Sequence, residues 1–405
     1  MTQTLLATGL IVALILALSL LVMTARSALS PAKPVTLTVN GDREVTATTG
    51  ERLLGALNNA GIAVPSACAG AGTCGQCRLK VTAGGGAALP TEQALLSGAQ
   101  LRDGQRLACQ VVIRGPLSVT VPDDILAAEQ WTCEVERATQ LAPLIRELVL
   151  RVPDDTEFRF RAGAYVQIEA PAYTLKLADL PMEARFEPAW KRLGVKALSA
   201  RNPAPTHRAY SIASRPQDQG RIVLDIRLAL PPPGAGPVPP GIVSSYLFSL
   251  KAGDPVAVSG PFGDFFVRDT DREKVFIGGG VGMAPLRAMI HDQLARGGTH
   301  RMSFWYGARG LVDLFYREEL DALAERHDHF SWTAALSEPA PEDHWQGRTG
   351  FIHEVVYEDY LKHHPAPQDC EYYLCGPPLM IEAVLAMLDE LGVEPTAILN
   401  DEFSA

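Results

Sequence analysis

Residues 68–77 read CAGAGTCGQC and residues 107–110 read LACQ, so Cys68, Cys74 and Cys77 share one short loop and Cys109 follows further along. Three thiolates in one loop with a distant fourth is the arrangement that holds a [2Fe–2S] cluster. Each iron needs two thiolates, and the bridging sulfides need backbone N–H groups close by, so the loop must wrap tightly. Gly70, Gly72 and Gly75 permit that wrapping. The competing reading is a structural zinc site, but zinc ribbons carry two separated Cys-x-x-Cys pairs and here Cys74 and Cys77 form one. The total of seven cysteines is odd and clustered. That does not fit a secreted disulfide framework and does fit metal ligands in a reducing compartment. Cys133 and Cys370 read as buried thiols.

On the N-terminal side of the loop, VTLTV (35–39) and EVTA (44–47) alternate in period two around Asn40-Gly41-Asp42, which predicts a hairpin. A helix over 53–60, closed by Gly61, strands at 78–81 and 117–121, and a glycine break at 84–86 complete a small α+β unit. Further upstream, residues 4–24 carry no charge and 5–23 are almost wholly apolar. This is the length a helix needs to cross a bilayer, roughly 20 residues. A cleaved signal peptide is the alternative. It calls for a basic residue before the run and a shorter apolar core. Arg26 and Lys33 follow the run and nothing basic precedes it, which predicts a single-pass anchor with the body in the cytoplasm.

On the C-terminal side, 131–268 is strand-rich with Pro and Gly punctuation, which predicts an antiparallel β-barrel. The helix-leaning stretch 173–205 interrupts it as an insertion, and PPPGAGPVPPG (231–241) is a rigid loop. From Lys274 strands and helices alternate, the pattern of a parallel sheet with crossover helices. The expected fold is therefore multidomain: a transmembrane helix within 1–26, an α+β unit over 33–125, a barrel over 128–268 and an α/β unit over 272–405. A chain of 405 residues, 47 % apolar and 20 % charged, suits such a plan. Its net charge of −10 excludes a nucleic-acid backbone as partner, for want of a basic surplus.

Three glycine- or arginine-bearing motifs point to nucleotides. RAYSIAS (208–214) supplies Arg208, Tyr210 and Ser211, a fork-shaped cation and a flat aromatic suited to a diphosphate and a flat ring. GIVSSYL (241–247) offers Gly241, Val243, Ser244 and Ser245 at a helix start, where free N–H groups bind phosphate or serine simply caps. GGGVGMAPLR (278–287) follows a strand and opens a helix, so Gly278, Gly279, Gly280, Gly282 and Met283 form a candidate dinucleotide turn. YGAR (306–309) and CGPPLM (375–380) end later strands and add Tyr306, Gly307, Cys375, Gly376 and Pro377. Histidines 363 and 364, like the other histidines, read as surface residues rather than ligands.

The cysteine loop resembles the plant-type ferredoxin pattern on a β-grasp fold, with five residues instead of four between Cys68 and Cys74. RAYS resembles the Arg-x-Tyr-Ser motif of the ferredoxin–NADP reductase superfamily. That resemblance implies Arg208 on the FAD pyrophosphate, Tyr210 against the isoalloxazine and Ser211 near its hydride-accepting nitrogen. It also implies Cys375 beside the nicotinamide, as a positioning group, and Phe403 stacked on the flavin. The domain order, with strings such as SGPFGDFF and GRTGFIHEVVYEDYL, resembles the family of F subunits of the Na+-translocating NADH:quinone oxidoreductases. The implied cofactors are FAD, a [2Fe–2S] cluster and NADH. The implied partners are other membrane subunits, which carry electrons to ubiquinone and couple them to sodium export at the inner membrane; no sodium or quinone site is visible in this chain. NADH is taken from the resemblance, since Arg309 could meet the 2′-phosphate of NADPH. The alternatives are a soluble reductase of an oxygenase system, and an anchored carrier with a dead reductase domain.

Overall fold

The structure is a computed structural model that describes residues 32–66, 68, 70–126, 128–232, 234 and 238–402, together with Leu14, Ala17 and Leu18. It divides into two compact units, Met1–Ser66 with Gly70–Leu126, and Ala67–Ala69 with Ala127–Ala405.

In the first unit the predicted hairpin forms from β1 (Pro34–Val39) and β2 (Arg43–Thr48). Its turn takes left-handed backbone at Asn40 (φ 53°) and Gly41 (φ 87°), conformations those two residues tolerate best. β3 (Arg78–Ala83), β4 (Gln105–Leu107) and β5 (Leu117–Thr120) complete a sheet of order β2-β1-β5-β3-β4, with β1 and β5 parallel. Alternation along β1 turns Leu37 and Val39 inward, where the helix Leu53–Asn59 lays Leu53, Ala56 and Leu57 on them. Two short helices, Pro90–Leu95 and Gly98–Arg102, were not predicted. The first is anchored by Glu92, fully buried and held by Arg106 Nε and Nη2 (2.8 and 2.7 Å) and by the Leu89 and Leu107 N–H groups, and the second is capped by Ser97. Desolvation pushes the Glu92 carboxyl up, but Arg106 and those N–H donors outweigh it and hold it below the usual carboxylate range. Arg106 also donates to the carbonyls of Gly85, Gly86 and Ala87, tying the glycine break to the strand that leads to Cys109.

In the second unit six strands form an antiparallel sheet of order β11-β8-β13-β6-β7-β12. These are β6 (Glu129–Ala142), β7 (Ile145–Arg151), β8 (Tyr165–Ala170), β11 (Thr206–Ser211), β12 (Arg221–Arg227) and β13 (Pro255–Phe262). A bridge between Ile212 and Leu224 joins the two outer strands and closes the barrel. The 173–205 stretch folds as a hairpin, β9 (Tyr173–Lys176) with β10 (Ser199–Asn202), around a short helix Glu187–Arg192. Trp190 on that helix is fully buried in the barrel core and donates to the Pro143 carbonyl at 2.5 Å, so the insertion is docked.

The same unit continues into a parallel sheet of order β17-β16-β15-β14-β18-β19. Its strands are β14 (Lys274–Gly279), β15 (Met302–Ala308), β16 (Phe330–Leu336), β17 (Arg348–Thr349), β18 (Glu371–Gly376) and β19 (Ile398–Glu402). Helices Met283–Ala295, Arg317–Arg326, Ile352–Asp359 and Pro378–Glu390 connect them. β14 and β18 are buried along their whole length between helices, including their charged first residues, Lys274 and Glu371, which pair with each other at 3.9 Å.

Among the described residues no helix is long and apolar enough to cross a membrane. The apolar run 5–23, which carries the anchor expectation, lies outside the described residues except Leu14, Ala17 and Leu18, which are helical. Phe403 also lies outside them.

Candidate functional site

The cysteine loop is built on positive-φ glycines: Gly70 (84°), Gly72 (82°) and Gly75 (67°). A Cβ at Gly72 would lie 2.4 Å from Gln110 Nε2, so the side-chain amide packs where only glycine leaves room. That amide donates to Cys109 Sγ at 3.3 Å and to the Gly70 carbonyl at 3.4 Å. Arg78 Nε reaches the Gly75 carbonyl at 2.7 Å, and Arg52 donates to the Cys109 carbonyl. Cys77 and Cys109 are buried, Cys68 and Cys74 half-buried. An amide donor aimed at sulfur suits a thiolate ligand, which accepts hydrogen bonds, and so the loop fits an iron–sulfur cluster. Gln110 had no sequence signal beyond its place next to Cys109.

On the barrel, β11 carries Arg208 and Tyr210 half-buried and Ser211 buried at its end. Burial pulls the Arg208 guanidinium below its ordinary pKa and pushes the Tyr210 hydroxyl up. Arg208 Nη1 donates to its neighbour's carbonyl, His207 O, at 2.8 Å. A largely desolvated cation whose hydrogen bond goes to a backbone carbonyl is suited to an anionic group. The helix Ile242–Ser249 starts at Gly241 without a side-chain cap. The two candidate serines there divide. Ser244 Oγ donates to the Gly241 carbonyl and accepts from the Ala229 N–H, both at 3.2 Å, so it fastens the helix start. Ser245 Oγ is fully buried with no hydrogen-bond partner among the described residues. Its neighbour Tyr173 donates instead to the Ile242 carbonyl. A buried hydroxyl without a partner at an uncapped helix start fits a flavin dinucleotide's polar chain. Val243 is buried in the barrel core.

Substituting Ser245 by alanine should therefore lower flavin retention about tenfold, one charge-assisted hydrogen bond. Ser244→Ala should instead cost about 1 kcal/mol of stability through the helix start. Flavin absorbance after gel filtration and thermal unfolding separate the two effects.

The two nucleotide turns interlock. β14 ends in Gly278 and Gly279, and Gly280 turns at φ 57° into the helix Met283–Ala295. A Cβ at Gly282 would fall 2.0 Å from the Cys375 carbonyl oxygen, and one at Gly376 would fall 3.0 Å from Gly279 O. Tyr306 is fully buried and its hydroxyl donates to the Gly280 carbonyl at 2.9 Å, so it holds the turn from beneath. Gly307 pairs with Gly279 across the sheet. Met283 is fully buried, while Pro377 starts the helix Pro378–Glu390. Cys375 is fully buried and desolvation pushes its thiol far up, which keeps it neutral. A neutral thiol shapes a site and does not attack. Asp401, opposite Cys375 on β19, is raised to about 6 by burial, and no sequence motif marked it.

Family models match three successive segments: the 2Fe-2S iron-sulfur cluster binding domain over 37–114, the oxidoreductase FAD-binding domain over 195–267 and the oxidoreductase NAD-binding domain over 276–386. The F subunit of the Na(+)-translocating NADH-quinone reductase of Pseudoalteromonas atlantica is 48% identical over 398 residues, 98% of each chain. Its counterpart in Marinomonas sp. is 48% identical over 392 residues, 96% of each. The chain belongs to the family of F subunits of the Na(+)-translocating NADH-quinone reductases. This F-subunit chain is also similar in structure to the Amycolatopsis cytochrome P450 reductase GcoB (TM-score 0.63, 27% identity, 92% of this chain and 99% of that one). The ferredoxin reductase of carbazole 1,9a-dioxygenase gives TM-score 0.61 and 25% identity, with the same coverage. The domain set expected of an F subunit, a [2Fe–2S] domain, an FAD domain and an NAD domain, is present.

One sequence expectation fails. His364 is not a surface residue: its side chain is 11% exposed, with Nε2 3.1 Å from Glu273 Oε2 and 3.9 Å from Cys370 Sγ. Its Nδ1 accepts from the Ala366 N–H at 3.2 Å, so Nε2 carries the ring proton and donates to Glu273. With both nitrogens engaged, the cluster as it stands is a hydrogen-bonded anchor whose three ligand-type atoms lie within 4.8 Å of one another. Cys133 and Cys370 are buried as expected, and desolvation pushes both thiols up to about 12.

Proposed function

We propose that this chain is the electron-input subunit of its complex, taking hydride from NADH and sending single electrons through the [2Fe–2S] cluster to partner subunits. The carrying observation is that a thiolate-ready cysteine loop, an anion-ready barrel strand and interlocked nucleotide turns occur in one chain matched over almost its full length by F-subunit relatives. FAD and the cluster, when bound, supply the conversion of a two-electron hydride into one-electron steps. The chain's own residues bind and orient. Arg208 and Ser245 hold the polar chain of FAD, Tyr210 packs on its ring and Ser211 lies near the hydride-accepting nitrogen. Gly278, Gly279, Gly280 and Gly282 admit the dinucleotide backbone, Cys375 and Pro377 border the nicotinamide, and Phe403 covers the flavin. Cys68, Cys74, Cys77 and Cys109 ligate the cluster.

The domain limits proposed are 33–125, 128–268 and 272–405, with residues 1–26 as a single-pass anchor in the inner membrane and the other domains in the cytoplasm. Quinone is reached through partner subunits. Full-length protein should sediment with membranes, whereas a chain lacking residues 1–26 should stay soluble, and both should reduce ferricyanide with NADH. Full-length, uncleaved protein in the soluble fraction would overturn the anchor.

A further inference from the structure

Two carboxylates stand side by side in the barrel wall. β7 and β12 pair so that Glu147 lies directly opposite Asp225, and both are buried. Like charges in that relation oppose strand pairing. The hydroxyl of Tyr316, from the start of the helix Arg317–Arg326, enters between them, 2.7 Å from Glu147 Oε2 and 2.8 Å from Asp225 Oδ1. A phenol carries one proton. It fills one of these contacts, and the other requires a second proton between two oxygens at hydrogen-bond distance.

Glu147 is the better anion, because its Oε1 accepts from Arg137 of β6 at 2.9 Å. Asp225 Oδ2 is buried with no partner among the described residues. The remaining groups facing the pair are Tyr306 on β15, Arg287 and His291 on the helix Met283–Ala295, and Glu319 beside Tyr316. Arg287 is committed elsewhere: Nε and Nη2 to Glu319 at 2.7 and 2.8 Å, Nη1 to the Ala213 carbonyl at 2.7 Å. His291 Nε2 is 2.5 Å from the same Glu319. The second proton therefore belongs to Asp225. Consistently, burial pushes Asp225 up to about 7, with Arg287 and the Tyr316 hydrogen bond offsetting it in part.

We propose that Asp225, as a neutral carboxylic acid, is a positioning residue: it donates to the Tyr316 hydroxyl, which donates to Glu147, and this relay locks the nucleotide-binding lobe onto the flavin barrel for hydride transfer. The functional half of this rests on the proposed hydride route. Arg287 stacks over the Tyr316 ring at 4.5 Å and grips Ala213, which follows the RAYS strand, so the relay fastens the lobe beside the flavin residues. Tyr316 itself holds a left-handed backbone (φ 57°), uncommon for a bulky residue and maintained by these contacts. The folded pKa lies above the ordinary 3.8, so the contribution is complete below that value and is lost as pH rises through about 7.

The test uses full-length protein loaded with flavin and cluster. Stopped-flow flavin reduction at saturating NADH should slow as pH rises through the Asp225 ionisation. Asp225→Asn, whose amide donates at every pH, should lose that alkaline limb and keep the low-pH rate within about twofold. Tyr316→Phe should be slow at all pH values, by roughly tenfold, with a flat profile. Infrared spectra of the wild type should show a protonated-carboxyl C=O band that titrates away and is missing in Asp225→Asn. An unchanged pH profile in Asp225→Asn, or no such band, would overturn the proposal. If Asp225→Asn does not fold, the shift of the wild-type band in Tyr316→Phe decides in its place, and an unshifted band refutes the relay. Should NADH not reduce the wild-type flavin at all, the hydride route fails, while the infrared result still settles the proton.

Discussion

Replacing Cys77 by alanine should give a yellow protein whose flavin NADH still bleaches and whose iron–sulfur absorbance is gone. Cys77 is 1 % exposed, and its carbonyl takes the Ala108 N–H at 2.8 Å, a contact the substitution leaves in place. The backbone clasp between the loop and the segment carrying Cys109 therefore survives while one thiolate is lost. Three thiolates leave one iron short of its complement, and the cluster does not assemble. The flavin residues Arg208 and Ser245 lie in the other compact unit, so the rate of flavin reduction should stay within about twofold. One-electron delivery to an acceptor that draws on the cluster should fall below detection. Iron analysis, electron paramagnetic resonance and stopped-flow bleaching measure the three quantities. If flavin reduction also vanished in a folded variant, the order NADH, flavin, cluster would be wrong.

The second large effect is expected at Gly282. A methyl group there would overlap the Cys375 carbonyl oxygen at 2.0 Å and the carbonyl carbon at 2.4 Å. Neither atom is on a flexible side chain, so the two nucleotide turns must separate by about an ångström or more. A displacement of that size at a reacting site costs on the order of a hundredfold. Gly282→Ala should thus lose about two orders of magnitude in kcat/KM for NADH while retaining flavin and cluster absorbance. Gly280→Ala is the informative contrast. No atom lies within 4 Å of its would-be Cβ, but φ is 57°, so the change strains the turn without prying it apart. A milder loss there, with Gly282→Ala severe, separates close approach from backbone strain.

What could be read from the sequence was what local stereochemistry dictates. The hairpin turn at Asn40 and Gly41, the glycine-wrapped cysteine loop and the glycine turn before Met283 each need left-handed or crowded backbone that few residues permit, and the structure has all three. The alternation of strands and helices after Lys274 likewise follows from burial on both sheet faces. What could not be read depends on distant partners. Nothing near Glu92 announces that Arg106 will fold back to it, so the helix Pro90–Leu95 is not legible in the sequence. The motif GIVSSYL does not say that Ser244 will fasten the helix while Ser245 Oγ finds no partner among the described residues. Tyr306 stands out in sequence by its motif, and its hydroxyl proves to serve the turn through Gly280. His364 looks like a surface residue in sequence because Glu273, which engages it, is far away along the chain.

An anaerobic titration of full-length protein with NADH, following flavin and iron–sulfur absorbance together, tests the electron route from nicotinamide through flavin to cluster. Both chromophores should bleach in the wild type, and the flavin alone should bleach when Cys77 is alanine. A wild-type protein that carries both chromophores and shows no bleaching on NADH addition would contradict that route.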